Sequence, residues 1–273
     1  SEEALELIVQ DHLAELEWQA GHGPDFAPGS GERDAWNDIV LRGRLRNAVR
    51  NLNPDVPEEY LDQAIGEVIT PKSQSAIAEN RRIHQILVEG YRGIEYIDHE
   101  GNIQNPTIYF LSSQPHKNDY LSLNQVTIAN LDGERRFDVV CYVNGMPLAF
   151  IELKKTGANT SVEGAYNQLQ TYVKEFGMAF RFANIVIPSD DLSAKYGTPF
   201  TPWNHFAPWN VDEDGSPVDP NNMVVAGEPV TQLDLLLDGL FNVERFGQLY
   251  SDFTAFDDTA EGLIMRIAKP HQY

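Results

Sequence analysis

Asp138, Glu152 and Lys154 are three charges set into the most apolar ribbon of the chain, residues 136–155. Val139, Val140, Cys141, Tyr142 and Val143 precede Asn144-Gly145, and Leu148, Ala149, Phe150 and Ile151 follow it. Asn-Gly tolerates φ > 0 at both positions, so the ribbon reads as a β-hairpin. Glu152 and Lys154 are two apart and share a strand face roughly 7 Å apart. Carboxylates in such surroundings are costly unless a cation compensates them. Two of them together suit a hard divalent ion such as Mg2+. A neighbouring lysine can orient an attacking water or offset developing charge, and the sum is phosphodiester hydrolysis.

Spacing alone leaves a second reading equally open. Glu152, Lys154 and Lys155 also describe a solvated strand end, and Asp138 beside Arg136 a turn residue. Strand parity adds a condition. A strict two-residue turn pairs Val143 with Met146 and hence Asp138 with Ile151, which sends Asp138 and Glu152 to opposite faces. Sharing a metal therefore requires an extra residue on one strand. Pro147, with no ladder donor, makes a bulge or a wider turn around Met146-Pro147 the expected irregularity, and a regular two-residue turn would count heavily against a shared metal site.

The elements that must position these groups follow from periodicity. Residues 2–20, 33–51, 57–69 and 73–89 read as helices, the last closed by Gly90. Strand character follows at 93–97, 107–111 and 123–129. After the hairpin, Ser161 is a helix N-cap for residues 161–176, and 182–188 is a short buried strand. Residues 231–240 and 244–253 are two more helical stretches. Helix, strands, charged hairpin, helix and strand define an α+β fold, a mixed central sheet flanked by helices. The expected division is an N-terminal helical region (1–70), a core (71–230) and a helical connector (231–273).

Composition bounds the partners. The chain has 273 residues, 41 acidic against 20 basic, and a formal charge of −21. Such a field opposes nucleic-acid binding by the protein as a whole but permits a local basic groove. Arg42, Arg44, Arg46 and Arg50 make 33–51 the most basic segment, read either as a solvated face or as a phosphate or partner contact. The single cysteine, Cys141, rules out a disulfide within the chain and fits a reducing compartment. No apolar run approaches a membrane span, and the acidic start is unlike a signal peptide, so the expected location is cytoplasmic.

Asn124-Gln-Val-Thr-Ile, Arg136-Phe-Asp-Val-Val, the run from Val143 to Lys154 and Ala165-Tyr-Asn-Gln-Leu-Gln-Thr-Tyr carry a family resemblance. Arg44-Leu-Arg, Leu52-Asn-Pro, Ala78-Glu-Asn-Arg-Arg and Phe241-Asn-Val-Glu-Arg-Phe extend it over most of the chain. These segments resemble the N-terminal nuclease domain of the restriction (R) subunit of type I restriction-modification enzymes. The resemblance implies a PD-(D/E)xK endonuclease fold and Mg2+-dependent cleavage of double-stranded DNA. It makes Asp138 the motif aspartate, Glu152 its acidic residue and Lys154 its lysine. It also implies supporting roles for Gln168 and Tyr172, which are i and i+4 on one helix face. Glu79 corresponds to a further acidic, metal-binding position on a helix before the sheet.

In that family an ATP-driven translocase follows the nuclease. No G-x-x-x-x-G-K-[ST] phosphate loop occurs in these residues, so the resemblance implies an N-terminal portion whose ATP site lies in a motor outside it. The implied partners are duplex DNA and the specificity and methyltransferase subunits of a type I complex. A repair nuclease of the same fold and a non-cleaving docking module are the alternatives.

Overall fold

The computed structural model describes residues 1–157 and 161–273. Helix α1 (Glu2–Glu15) leads into strand β1 (Gln19–His22). Helices α2 (Arg42–Leu52), α3 (Glu58–Ile69) and α4 (Ala76–Glu89) follow, then a two-residue pair, β2 (Tyr96–Ile97) and β3 (Ile103–Gln104). Strands β4 (Tyr120–Asn130), β5 (Gly133–Val143) and β6 (Met146–Leu153) form a meander. Helix α5 (Val162–Glu175) crosses over to β7 (Ile185–Ser189). A second small pair, β8 (Val224–Val225) and β9 (Glu228–Pro229), precedes α6 (Gln232–Phe241) and α7 (Val243–Ser251). Strands β10 (Thr254–Thr259) and β11 (Gly262–Ile267) form a closing hairpin.

The central sheet has the order β1-β4-β5-β6-β7. Its two outer ladders are parallel and its two inner ones antiparallel, so the expected mixed sheet between helices is present. Two apolar layers cover it. Leu5, Val9 and Leu13 of α1 join Val139, Cys141, Ile151 and Leu153 on one side. Leu169 and Tyr172 of α5 join Val140, Phe150, Val186 and Phe180 on the other. Strands β6 and β7 are buried on both faces, as strands covered by helices on both sides must be.

Several boundaries differ from the periodic reading. The first helix ends at Glu15, because Glu17 takes φ = 75° and turns the chain into β1. The N-terminal segment is therefore not only helical: it contributes an outer strand to the sheet. The second helix starts at Arg42 rather than 33. Ile39, Val40 and Leu41 are buried in extended chain, where their apolar character is used without helical periodicity. Residues 254–267 are a β-hairpin inside what reads as a helical connector. Its apolar residues cluster in β11 as Leu263, Ile264, Met265 and Ile267, while β10 carries exposed Asp257 and Asp258, so neither strand alternates cleanly.

The four arginines of α2 do not form a free basic face. Arg42 pairs with Asp34 and Asp38, Arg44 with Asp119, Arg46 with Asp62 and Arg50 with Glu58. Each charge is answered within the chain, so the phosphate-contact reading of that segment loses its support.

Candidate active site

The β5–β6 hairpin resolves the parity problem in a way the sequence only half anticipated. Asn144 (φ 52°) and Gly145 (φ 78°) make a regular two-residue turn that pairs Val143 with Met146 and Tyr142 with Pro147. The irregularity expected in the turn lies one residue beyond it. Cys141 pairs with Ala149, so Leu148 is the extra residue of a bulge on β6. From there the register runs Val140–Phe150 and Val139–Ile151. One step further, Asp138 stands opposite Glu152.

At that step side chains replace the ladder. The Leu153 N–H donates to Asp138 Oδ2 at 2.8 Å, and Lys154 Nζ donates to Glu152 Oε1 at 3.2 Å. Glu152 is 1% exposed and Asp138 9%. Burial raises the Asp138 pKa above the usual carboxylate range, against the Leu153 N–H and Lys154. Burial raises Glu152 still further, and the Asp138 charge adds to it while Lys154 opposes. Both shifts have the signature of two carboxylates short of positive charge.

Helix α5 closes the site from one side. Ser161 caps it by accepting the Gly164 N–H at 3.1 Å. Gln168 Nε2 donates to the Tyr172 hydroxyl, one turn away. The Tyr172 pKa is pushed up to about 12, by burial first and then by Glu152 and Asp138. The tyrosine is therefore within electrostatic reach of the carboxylate pair. Its ring lies 5.4 Å from Phe137, the neighbour of Asp138.

From the opposite helix comes a residue that sequence reasoning missed. Glu6 of α1 is 2% exposed, and its Oε2 accepts from Asn124 at 3.4 Å and Gln125 at 3.2 Å. Burial raises its pKa and the Asp138 charge contributes, which places Glu6 within electrostatic reach of the site. Gln125 takes φ = 52° in β4, where the ladder register sets it opposite Asp138. The available signal was the pair Glu6 and Gln10. They are polar, i and i+4, and both buried on the flank of the Leu5–Val9–Leu13 stripe. Gln10 docks the helix by donating to Gly21 O at 2.9 Å and Ser122 O at 3.1 Å.

Glu79 is not brought to this site. Arg82 pairs with it at 2.7 Å and the Lys72 N–H donates to it at 3.0 Å. Burial opposes its charge, but Arg82 and the backbone donors outweigh that and lower its pKa. Its neighbour Asn80 donates to Phe180 O and Ala183 O, ahead of β7. Glu152 pairs with Pro188, toward the other end of the same strand. Asp138, Glu152, Lys154, Gln168 and Tyr172 are thus gathered, and Glu79 sits at a distance as a buried structural ion pair.

Among the described residues no cluster of three or more His, Cys, Asp or Glu side chains is arranged to hold a metal. The Asp138–Glu152 pair supplies only oxygen donors, both buried, with Lys154 as the ammonium in contact. That set fits a hard ion that retains several waters, and Mg2+ is such an ion.

The description "Type I restriction enzyme R protein N terminus" belongs to the family that matches residues 1–205. The chain is 28% identical over 280 residues to the type I restriction enzyme HindI endonuclease subunit of Haemophilus influenzae, covering 100% of this chain and 26% of that protein. It is 27% identical over 265 residues to the protein named MjaIXP endonuclease subunit in Methanocaldococcus jannaschii, covering 93% and 25% respectively. The chain spans about a quarter of the length of these two relatives. No helix among the described residues is long and apolar enough to cross a membrane.

Proposed function

Because this chain belongs to the family of type I restriction enzyme R protein N termini, we propose that it is the Mg2+-dependent endonuclease domain of such a subunit. Its substrate is the phosphodiester backbone of double-stranded DNA. The observation that carries the reading is the burial of Asp138 beside Glu152 where the β5–β6 ladder ends, with Lys154 reaching Glu152.

Asp138 and Glu152 would hold the ion, with Glu2 and Glu6 of α1 as further carboxylates within electrostatic reach. When bound, Mg2+ polarises the phosphoryl oxygen and lowers the pKa of attacking water. The Leu153 N–H fixes the Asp138 carboxylate, so its orientation does not depend on the ligand. Lys154 Nζ stands beside Glu152, where it orients the water and meets charge gathering on the phosphate. The water oxygen would bond to phosphorus and lose its proton to solvent, while the P–O bond to the leaving ester oxygen breaks and that oxygen takes a proton from solvent to leave as an alcohol. Tyr172, held by Gln168, keeps its proton at neutral pH and presents a hydroxyl donor toward the carboxylates or the strand being cut.

The motor that consumes ATP and the specificity and methyltransferase partners belong to the larger complex in this reading, which places the protein in the cytoplasm with the DNA. The test is nicking of supercoiled plasmid with and without Mg2+, by this chain and by a full-length R subunit carrying it. Cleavage is expected to require Mg2+ and to be lost in Glu152→Ala and Lys154→Ala. Equal cleavage by wild type and Glu152→Ala sinks the catalytic assignment.

A further inference from the structure

Beyond β7 the sheet gains a short, unclassified edge. Ser189 bridges to Ala194 and Val186 to Gly197, both antiparallel, and the Lys195 N–H donates to Pro188 O at 3.2 Å. That register sets Lys195 opposite Pro188, and Pro188 is itself the β7 partner of Glu152. Directly paired residues share a face, so Glu152, Pro188 and Lys195 form one row across the sheet. The alternation agrees. Ala194 and Tyr196 enter the α1-side layer, whereas Val186 and Phe150 belong to the α5-side layer. Two strand spacings put Lys195 about 10 Å from Glu152.

Lys195 does not stand alone. Its Nζ lies 4.6 Å over the Trp203 ring, a cation–π seat. Trp203 is braced by Tyr166 of α5 at 5.1 Å and Phe206 at 5.9 Å. Lys269 reaches the same place, donating to the carbonyl of His205. Its pKa is lowered by burial and then by the adjacent Lys195 charge, so the two ammonium groups are close. Among the described residues neither lysine forms an ion pair, in a chain with 41 acidic residues. The arginines of α2 show the opposite habit, each matched to a carboxylate. One cation over the Trp203 ring and a second beside it at the His205 carbonyl, neither paired with an anion, constitute an electrostatic complement to a phosphate.

We propose that Lys195 and Lys269, seated on and beside Trp203, bind a backbone phosphate of the DNA duplex being cut. The contact falls on the order of three nucleotides from the scissile bond, given a rise of about 3.4 Å per nucleotide. The proposal rests on the nuclease reading and adds to it a positioning contact outside the carboxylate site. It also answers how so acidic a chain holds DNA: through a small cationic spot on the cleavage face rather than through its overall field.

The test is fluorescence anisotropy of a labelled 30-base-pair duplex with this chain, in Ca2+ buffer, over a series of salt concentrations. Each lost phosphate contact lowers the slope of log K against log salt by about 0.9. Lys195→Ala/Lys269→Ala is expected to weaken binding and lower the slope by about 0.9, for the one phosphate lost. Lys195→Arg should keep the wild-type slope. Lys117→Ala, which removes the same charge from an exposed site elsewhere, should also keep it. A double variant with wild-type affinity and slope overturns the proposal, as does an equal loss in Lys117→Ala or failure of the unsubstituted chain to bind. Plasmid nicking by Glu152→Ala reports separately on the nuclease reading, so either idea can fail without the other.

Discussion

Asp138 accepts its 2.8 Å hydrogen bond from the backbone N–H of Leu153, the residue immediately after Glu152. The first carboxylate of the pair is thereby tied to the strand that carries the second. Their separation is set by the hairpin and needs no ligand to establish it. The hairpin supplies one ammonium, Lys154, against two buried carboxylates, and that shortage of positive charge makes the site measurable.

Glu152→Gln should stabilise the metal-free protein at neutral pH. The folded pKa of Glu152 is raised, so the native state holds its proton more tightly than the unfolded chain. Stability from this group is therefore full below the unfolded pKa, near 4.5, and falls as pH rises toward the folded value. Each unit of upward displacement costs about 1.4 kcal/mol above that window. Urea unfolding in EDTA at pH 5 and pH 8 should show the variant gaining on wild type as pH rises. Adding Mg2+ should reverse the order by stabilising only the wild type. A variant whose advantage ignores both pH and Mg2+ contradicts the assignment.

Glu79→Ala separates structure from chemistry. Removing Glu79 leaves a partly exposed Arg82 that keeps its bonds to Val68 O and Thr70 O, which costs on the order of 1–3 kcal/mol. Mg2+-dependent cleavage per folded molecule, measured below the lowered unfolding midpoint, should match wild type. A selective loss of cleavage would return Glu79 to the metal site.

His12 should give the fold an alkaline limit. Asp234 and then Asp238 raise its pKa from 6.5 to about 9, through contacts at 3.5 and 2.6 Å that clamp α1 to α6. A raised histidine stabilises fully below its unfolded pKa and loses that contribution as pH climbs from 6.5 through about 9. The carboxylates are 37% and 43% exposed, so solvent screening reduces the contribution to about 1–2 kcal/mol. His12→Gln should flatten the fall in unfolding free energy between pH 6.5 and 9. An unchanged profile rules the clamp out.

Gly145→Ala should destabilise the hairpin from outside the site. Gly145 takes φ = 78°, and a Cβ there would lie 2.4 Å from Leu41 O and 2.7 Å from Leu45 N. Both obstacles are backbone, at the start of α2, and left-handed strain adds to them. A loss of at least about 1–3 kcal/mol is expected in chemical denaturation. A neutral substitution would mean that α2 is free to move away from the turn.

The sequence showed its chemistry more clearly than its geometry. The buried hairpin, its Asn-Gly turn, and the Gln168–Tyr172 pair are local patterns, and all are present. Leu148 as the bulged residue was not legible, since an apolar residue in an apolar strand carries no mark of register. Strand β1 was hidden because Trp18 and Ala20 prolong an apolar periodicity that a backbone reversal at Glu17 interrupts. Glu6 looked like one more surface acid of a helix. Its burial depends on Asn124 and Gln125, more than a hundred residues away. Glu79 precedes the sheet in sequence, but α4 meets the end of β7 opposite to Glu152.

The connectivity also sets an order of assembly. Strands β4, β5 and β6 are joined by two tight turns, whereas β1 must close a loop of roughly a hundred residues to lie beside β4. Loop-closure entropy and contact order place that pairing late. Helix α1 travels with β1 and carries Glu2 and Glu6 toward Asp138. The α1–β1 segment is therefore the last to dock, and the acidic site is completed only when the whole sheet has closed. In refolding experiments, substitutions in the meander should slow folding, and Gln10→Ala in α1 should chiefly speed unfolding. A site built in this order acquires the acidic groups of α1 in the final folding step.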